Sequence, residues 1–421
     1  MKTKAVRLYG AKDLRLETYE LPAITEEEIL VKIYTDSVCM STYKEVKLGT
    51  AHKRVPGDVA ENPIIIGHEM AGEIVEVGKR WMEDFYPGQR FSIQPDINYL
   101  GKGWAPGYSF PNCGGDCTYC ILPKEVMEKD CLIPYAGEAF YAASLAEPVC
   151  TLISAFKAFY HRSAYAAYEH IMGLKEGGKM AILAGTGAMG LGAIDLALHG
   201  DKKPSLLVVT GRTSKKLERA ARIFTEEEAK KNGVEIRFVN TTKTEDPVAL
   251  LKEISGGTGF DDVMVMTPVT EVISMGNQIL GYDGCLNFFA GPSDKTLTAP
   301  INFYDIHYQF THICGTSGAT VQDMKDALQL AGEGRINPSV MVTHIVGIDN
   351  VAETTINLSD IPGGKKLCYT HLNLPLIALE DFKALGKEDS RFADLDEICE
   401  RHAGLWSAEA ETYLMEHFKE E

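Results

Sequence analysis

Between an apolar run at residues 180–184 and a second at residues 191–198 stand Gly185-Thr186-Gly187-Ala188-Met189-Gly190. A strand that passes into a helix through G-x-G-x-x-G opens a dinucleotide-binding unit. Gly185 permits the tight turn, Gly187 lets the backbone approach a pyrophosphate, and Gly190 lets helix and strand pack closely. The helix N-terminus then turns free N–H groups and the positive end of its dipole toward the phosphates. Further apolar runs follow at 206–210, 262–267, 285–290 and 313–315. They lack strict alternation, which suits parallel strands covered on both faces. Helical segments at 214–224 and 321–331 lie between them.

The second strand bears on which dinucleotide binds. An NAD site places an acid there for the ribose 2′-OH. This strand ends in Gly211-Arg212-Thr213-Ser214-Lys215-Lys216, without an acid. Glycine leaves room for a 2′-phosphate, which Arg212, Lys216 and the Thr213 hydroxyl can hold by charge-assisted hydrogen bonds. The expected cofactor is NADPH, with NADH as the alternative. Thr267, Ala290 and Gly291, at the ends of later runs, are assigned to the same site.

The first 150 residues have another texture. Short runs at 5–9, 28–35, 72–77 and 90–94 are broken by Pro63, Pro87-Gly88 and Gly114-Gly115, which reads as mostly β. Residues 151–172 read as one or two helices. Strand signals resume at 340–345 and 366–369 and return to the first domain. The acidic, helix-like end places Trp406, Tyr413 and Phe418 near one helical face, a packing or oligomer helix. The expectation is an α/β chain of two domains. A β-rich domain spans 1–155 and 335–421, the latter with a helical extension, and a doubly wound parallel-sheet domain spans 156–334. Two cores also suit a chain of 421 residues.

The formal net charge of −17 repels nucleic acid and anionic membranes, so neither is an expected partner. It also repels phosphorylated metabolites, so a phosphate site must carry its own basic cluster. No window approaches the roughly 18 apolar residues of a membrane span, and MKTKAVRLYG lacks a signal-peptide core. The expected location is cytoplasmic, with the ten cysteines as thiols or metal ligands.

Three segments carry chemistry: Val38-Cys39-Met40-Ser41, Gly67-His68-Glu69 and Ala146-Glu147-Pro148. Cys, His and Glu are the ligand types of an open catalytic zinc site. Each alone is weak, but their order upstream of a dinucleotide fold changes the odds. With these residues the chain resembles the zinc-dependent medium-chain dehydrogenases, the alcohol, sorbitol and threonine dehydrogenase group, from residue 1 to about 370. The resemblance implies a GroES-like catalytic domain, a Rossmann domain, an active site in the cleft between them and one catalytic zinc. By it, Cys39 and His68 are ligands, Glu147 is the third, and Glu69 stands beside the metal as an exchanging partner. Ser41 matches the hydroxyl that passes the substrate proton, and Lys44 stands where many members carry a histidine at the outer end of that relay. Zinc would polarise a carbonyl, the nicotinamide would give a hydride, and Ser41 would supply the proton. A homodimer or homotetramer is also implied, with 285–290 as an edge strand able to pair across a two-fold axis.

Cys113, Cys117, Cys120 and Cys131 form C-x3-C-x2-C-x10-C, which does not match the family's structural-zinc lobe. On one strand Cys117 and Cys120 would point to opposite faces, so no structural zinc is expected.

Cys39 and His68 are 29 positions apart, and the loop between them contains His52-Lys53-Arg54. From charge alone this is either a substrate phosphate site or a solvated loop. Segments 6–10, 15–18, 63–69, 106–111, 285–292, 300–308 and 363–367 resemble the ketose-phosphate reductases of the family. That implies a small-molecule sugar phosphate substrate, L-sorbose 1-phosphate reduced to D-glucitol 6-phosphate. Rival readings are an NAD-dependent polyol dehydrogenase acting on free sugar alcohols and a dinucleotide-binding sensor without catalysis.

Overall fold

Six strands carry the dinucleotide unit in the computed structural model, which describes residues 1–166 and 168–419. Their order is Glu235–Asn240, Leu206–Gly211, Lys179–Leu183, Phe260–Val265, Leu280–Phe288 and His312–Cys314. Every pairing is parallel. The central strands are buried along almost their whole length, as continuous apolar runs require. The chain divides into two compact units, and this sheet belongs to the second, Val149–Ala319 with Glu333–Val340.

Three expectations change here. Strand Glu235–Asn240 was not anticipated, because alternating Glu235 and Arg237 face water while Ile236 and Val239 are buried. Such alternation marks a half-covered edge strand. The opposite edge is His312–Cys314 and not 285–290, since Leu280–Phe288 is hydrogen-bonded on both sides. Residues 160–162 and 170–172 are strand and not helix. The helix is Phe140–Ala158, and Tyr160–Arg162 pairs antiparallel with His170–Met172. The Tyr160 and His170 rings meet edge to face across that pair at 4.9 Å.

The first unit comprises Met1–Pro148, Thr320–Gly332 and Met341–Glu421. Its main sheet runs Ile377–Ala378, Val342–Gly347, Lys365–Tyr369, Ile29–Val38, Ala71–Val77, Arg90–Ile93 and Leu132–Pro134, with Tyr119–Leu122 also paired to Ile29–Val38. A smaller sheet joins Asp13–Glu20, Lys2–Gly10 and Ile64–Ile65. The late strand Lys365–Tyr369 pairs with Ile29–Val38. Helix Val321–Gly332 also lies in this unit, although the sequence division at 334 put it with the dinucleotide domain. Val321 packs on the β-rich core, and Gln94 Nε2 donates to Thr320 O at 3.3 Å.

The three tail aromatics do not share one helical face. Trp406 precedes helix Ala408–His417 and Phe418 caps it. Trp406 is buried and its Nε1–H donates to Tyr369 Oη at 2.7 Å. Buried Glu411 accepts from Phe140 N at 2.6 Å, Tyr141 N at 2.8 Å and Tyr369 Oη at 3.0 Å. A carboxylate at the start of helix Phe140–Ala158 meets its free N–H groups and dipole. Glu411→Ala strands these donors and is expected to cost about 2 kcal/mol of stability. The urea midpoint at constant m-value reads this, and an unmoved midpoint would deny Glu411 the role. No helix among the described residues is long and apolar enough to cross a membrane.

Candidate active site

Strand Ile29–Val38 ends against Cys39, whose extended backbone caps helix Met40–Leu48. Ser41 and Thr42 therefore sit in the first turn of that helix. His68 and Glu69 precede strand Ala71–Val77, after Gly67, which has φ +89°. A Cβ on Gly67 would collide with the Asp36 carboxyl, so only glycine fits this approach. Asp36 Oδ1 accepts from Ser37 N and Glu69 N, both at 2.8 Å, and so ties the two segments together.

The ligand atoms of Cys39, His68 and Glu69 lie within 4.8 Å of one another, the only such group of three among the described residues. Ser41 Oγ lies 2.9 Å from Cys39 Sγ and 3.2 Å from His68 Nε2. Thr42 Oγ1 is 3.1 Å from His68 Nδ1, so the hydroxyl occupies one ring nitrogen and Nε2 faces the thiol. Burial pushes the His68 imidazole down, toward the neutral form that binds metal. A thiol, a neutral imidazole and a carboxylate converging on one point fit a zinc ion with an open position.

The carboxylates come as a pair. Glu69 is buried, accepts from Ser37 Oγ and is ion-paired to buried Lys365, with Nζ 2.6 Å from Oε2. Burial lifts Glu69 to about 8, against the pull of Lys365. Burial and then the Glu69 charge lift Glu147 to about 7. Glu147 lies within hydrogen-bonding reach of Glu69 and sits inside helix Phe140–Ala158, which continues through Pro148. For Lys365, burial works against the charge, but the Cys39 and Glu69 charges outweigh it. Both shifts favour a proton held on the pair near neutrality, which a metal ion taken up there would have to expel. Zinc affinity is expected to climb as pH rises through about 7 to about 8. Competition against a chromophoric chelator measures this, and a flat profile would contradict the pairing.

The basic loop is partly gathered at this centre. His52 stacks on Tyr108 at 5.6 Å and 18°, and the Arg54 guanidinium lies 5.4 Å from the same ring. Arg54 is also paired with Asp96 at 3.0 Å. Tyr108 in turn lies 5.0 Å from the His68 ring. Lys53 is exposed and makes no part of this stack. Lys44 is half-buried on the same helix as Ser41, one turn on.

In the second unit the expected cofactor residues collect at the carboxyl ends of parallel strands. Gly185 N donates to Thr210 O at 2.9 Å, and Gly187 caps helix Ala188–His199. A Cβ on Gly190 would strike the Gly185 backbone, whereas one on Gly187 would meet no protein atom within 4 Å. The third glycine is thus needed for packing and the second leaves open space, the cradle a pyrophosphate requires. Thr186, Ala188 and Met189 complete this turn. Gly211 is buried at its strand end, and Arg212, Thr213 and Lys216 are exposed beyond it. Thr267 and Ala290 follow strands Phe260–Val265 and Leu280–Phe288, and Gly291 is exposed next to them.

Sequence reasoning missed Ser37, Thr42, Tyr108 and Lys365. None of them left a trace: Lys365 stands between Gly364 and Lys366 at the head of its strand, where a charge reads as solvated. The parity argument for the cysteines also needs correction. Cys117 precedes strand Tyr119–Leu122, so strand alternation does not govern it, and the thiols of Cys113 and Cys117 both reach Cys120. All three, with Cys131, are buried in the β-rich core.

Comparison with known proteins gives the family. Residues 25–147 match the family model of the alcohol dehydrogenase GroES-like domain, and residues 188–333 match that of zinc-binding dehydrogenases. The mannitol-1-phosphate 5-dehydrogenase of Aliivibrio fischeri is 46% identical over 417 residues, covering 99% of this chain and 98% of its own. The L-sorbose 1-phosphate reductase of Klebsiella pneumoniae is 46% identical over 415 residues, with the same two coverages of 99% and 98%. Among solved structures, 2R,3R-butanediol dehydrogenase from Bacillus subtilis aligns with a TM-score of 0.69 at 22% identity, over 87% of this chain and 99% of that one.

Proposed function

Because the chain belongs to the zinc-dependent medium-chain dehydrogenases, we propose that it interconverts a phosphorylated ketose and its polyol phosphate, with NADPH as the reductant. The substrate of choice is L-sorbose 1-phosphate, reduced to D-glucitol 6-phosphate. One observation carries this reading. In a chain of net charge −17, His52 and Arg54 are gathered on Tyr108, whose ring adjoins His68. That is a local cationic site next to the metal donors, as an anionic protein needs for a phosphate. Both relatives at 46% identity are named for sugar phosphates.

Cys39, His68 and the Glu69–Glu147 pair would hold the zinc, and Lys365 is ion-paired to Glu69. When bound, zinc supplies Lewis acidity at the carbonyl and the nicotinamide supplies the hydride. Ser41 Oγ then gives its proton to the substrate oxygen, with Lys44 one turn behind it. Gly187 and the following helix N-terminus receive the pyrophosphate. Arg212, Thr213 and Lys216 receive the 2′-phosphate, where no acid stands to repel it.

A second reading keeps the chemistry and changes the sugar to mannitol 1-phosphate, on the strength of the Aliivibrio relative. Steady-state rates with L-sorbose 1-phosphate, fructose 6-phosphate and free L-sorbose, each with NADPH and NADH, test both. The expected result is kcat/KM higher by about 100-fold for a phosphorylated ketose than for free sorbose, the worth of two charge-assisted hydrogen bonds. Equal values would end the sugar-phosphate reading.

A further inference from the structure

We propose that Tyr108 is a further catalytic residue of this site: its hydroxyl stands with Ser41 at the substrate oxygen, and its ring seats the guanidinium and the imidazole that take the phosphate. The proposal rests on the function proposed above. Tyr108 is 3% exposed, and its Oη lies 3.5 Å from His68 Nε2, with the Ser41 hydroxyl also in hydrogen-bonding reach. Once Nε2 is committed to metal it no longer accepts a hydrogen bond. The phenolic proton must then turn to the Ser41 hydroxyl or to a group bound beside it, because a buried hydroxyl left unpaired is costly. A substrate oxygen placed beside Ser41 Oγ is such a group. The O–H then donates where negative charge develops as the carbonyl is reduced, while Ser41 passes the proton.

The same ring carries the groups assigned to the phosphate. His52 stacks on it and Arg54 lies over it. The segment carrying Tyr108 is laced to both ends. Gly107, at φ +75°, packs so closely on Gly67 O that a Cβ would collide. Tyr108 N donates to Ala105 O at 3.1 Å, Ala105 N to Ser109 Oγ at 3.1 Å, and Ser109 Oγ to Arg54 O at 2.8 Å. One short loop therefore fixes the spacing between Arg54 and His68. A substrate whose phosphate and carbonyl match that spacing gains both interactions together.

Two variants separate the two roles. Tyr108→Phe keeps the ring and is expected to lower kcat about 100-fold, with KM for the phosphorylated ketose changed by less than about twofold. Tyr108→Leu removes the aromatic face. It is expected to weaken binding of inorganic phosphate to the zinc-loaded protein by about 10-fold in calorimetry, the worth of one ordinary polar or cation–π contact. Zinc content and melting temperature of both variants show that the fold is intact, which a merely structural role for Tyr108 would not allow. The proposal is overturned if Tyr108→Phe retains kcat within about twofold, or if Tyr108→Leu binds phosphate as the parent does. Failure of the underlying function would look different. The parent protein itself would then show neither phosphate binding nor preference for a phosphorylated ketose, while the effect of Tyr108→Phe on turnover of the free sugar would still be readable.

Discussion

Cys39→Ala is expected to lower kcat by about 1,000-fold or more and to leave the purified chain without stoichiometric zinc. The reason is local. Among the described residues Cys39 is the one thiol grouped with His68 and Glu69, and its position is fixed by the end of strand Ile29–Val38 and the start of helix Met40–Leu48. Ser41 Oγ, 2.9 Å away, is the proposed proton donor and is too weak a ligand to substitute for a thiolate. Cys39 is half-exposed and lies outside the apolar core, so the variant should melt close to the parent protein. Metal analysis and steady-state rates read the two effects together. Full zinc and full activity in the variant would remove Cys39 from the site.

The second large effect concerns the phosphate. Replacing His52, Lys53 and Arg54 together by alanine is expected to raise KM for a phosphorylated ketose by about 100-fold and to leave KM for the free ketose within about twofold. Arg54 should dominate. Its guanidinium already lies over Tyr108 and can form two parallel hydrogen bonds to a phosphate. The ion pair with Asp96 orients it but leaves further donors available. His52 contributes less, because burial and then the Arg54 and Lys53 charges push it down and leave it largely neutral. Lys53, exposed, should contribute least. A parallel loss on both substrates would mean that the loop supports the fold and does not read the phosphate.

What the sequence made legible was set by short-range constraint. The glycines of 185–190 could be assigned because each answers a backbone demand within a few residues, and Gly190 does pack against Gly185 as the pattern requires. Cys39 and His68 could be picked out as donor types in a recurring order. Lys365 could not, since its reason for being buried is Glu69, which stands 296 positions away in the chain. Tyr108 was hidden likewise, as one aromatic among many until folding set it beside His68. The strands at 160–162 and 170–172, where the sequence suggests helix, have another origin. A run of Ala and aromatics suits helix or strand, and packing against Leu280–Phe288 selects the hairpin. Trp406 was misplaced because helical spacing was read through the break at Gly404–Ser407, where the chain leaves helix Ser390–Arg401 before starting the next.

The most direct test replaces zinc by cobalt(II) and records the absorption spectrum. One cobalt per chain is expected, with a thiolate-to-cobalt charge-transfer band that vanishes in Cys39→Ser and visible bands that shift when L-sorbose 1-phosphate is added. A thiolate band that survives in Cys39→Ser, or visible bands that ignore the sugar phosphate, would contradict a Cys39–His68–carboxylate centre open to substrate.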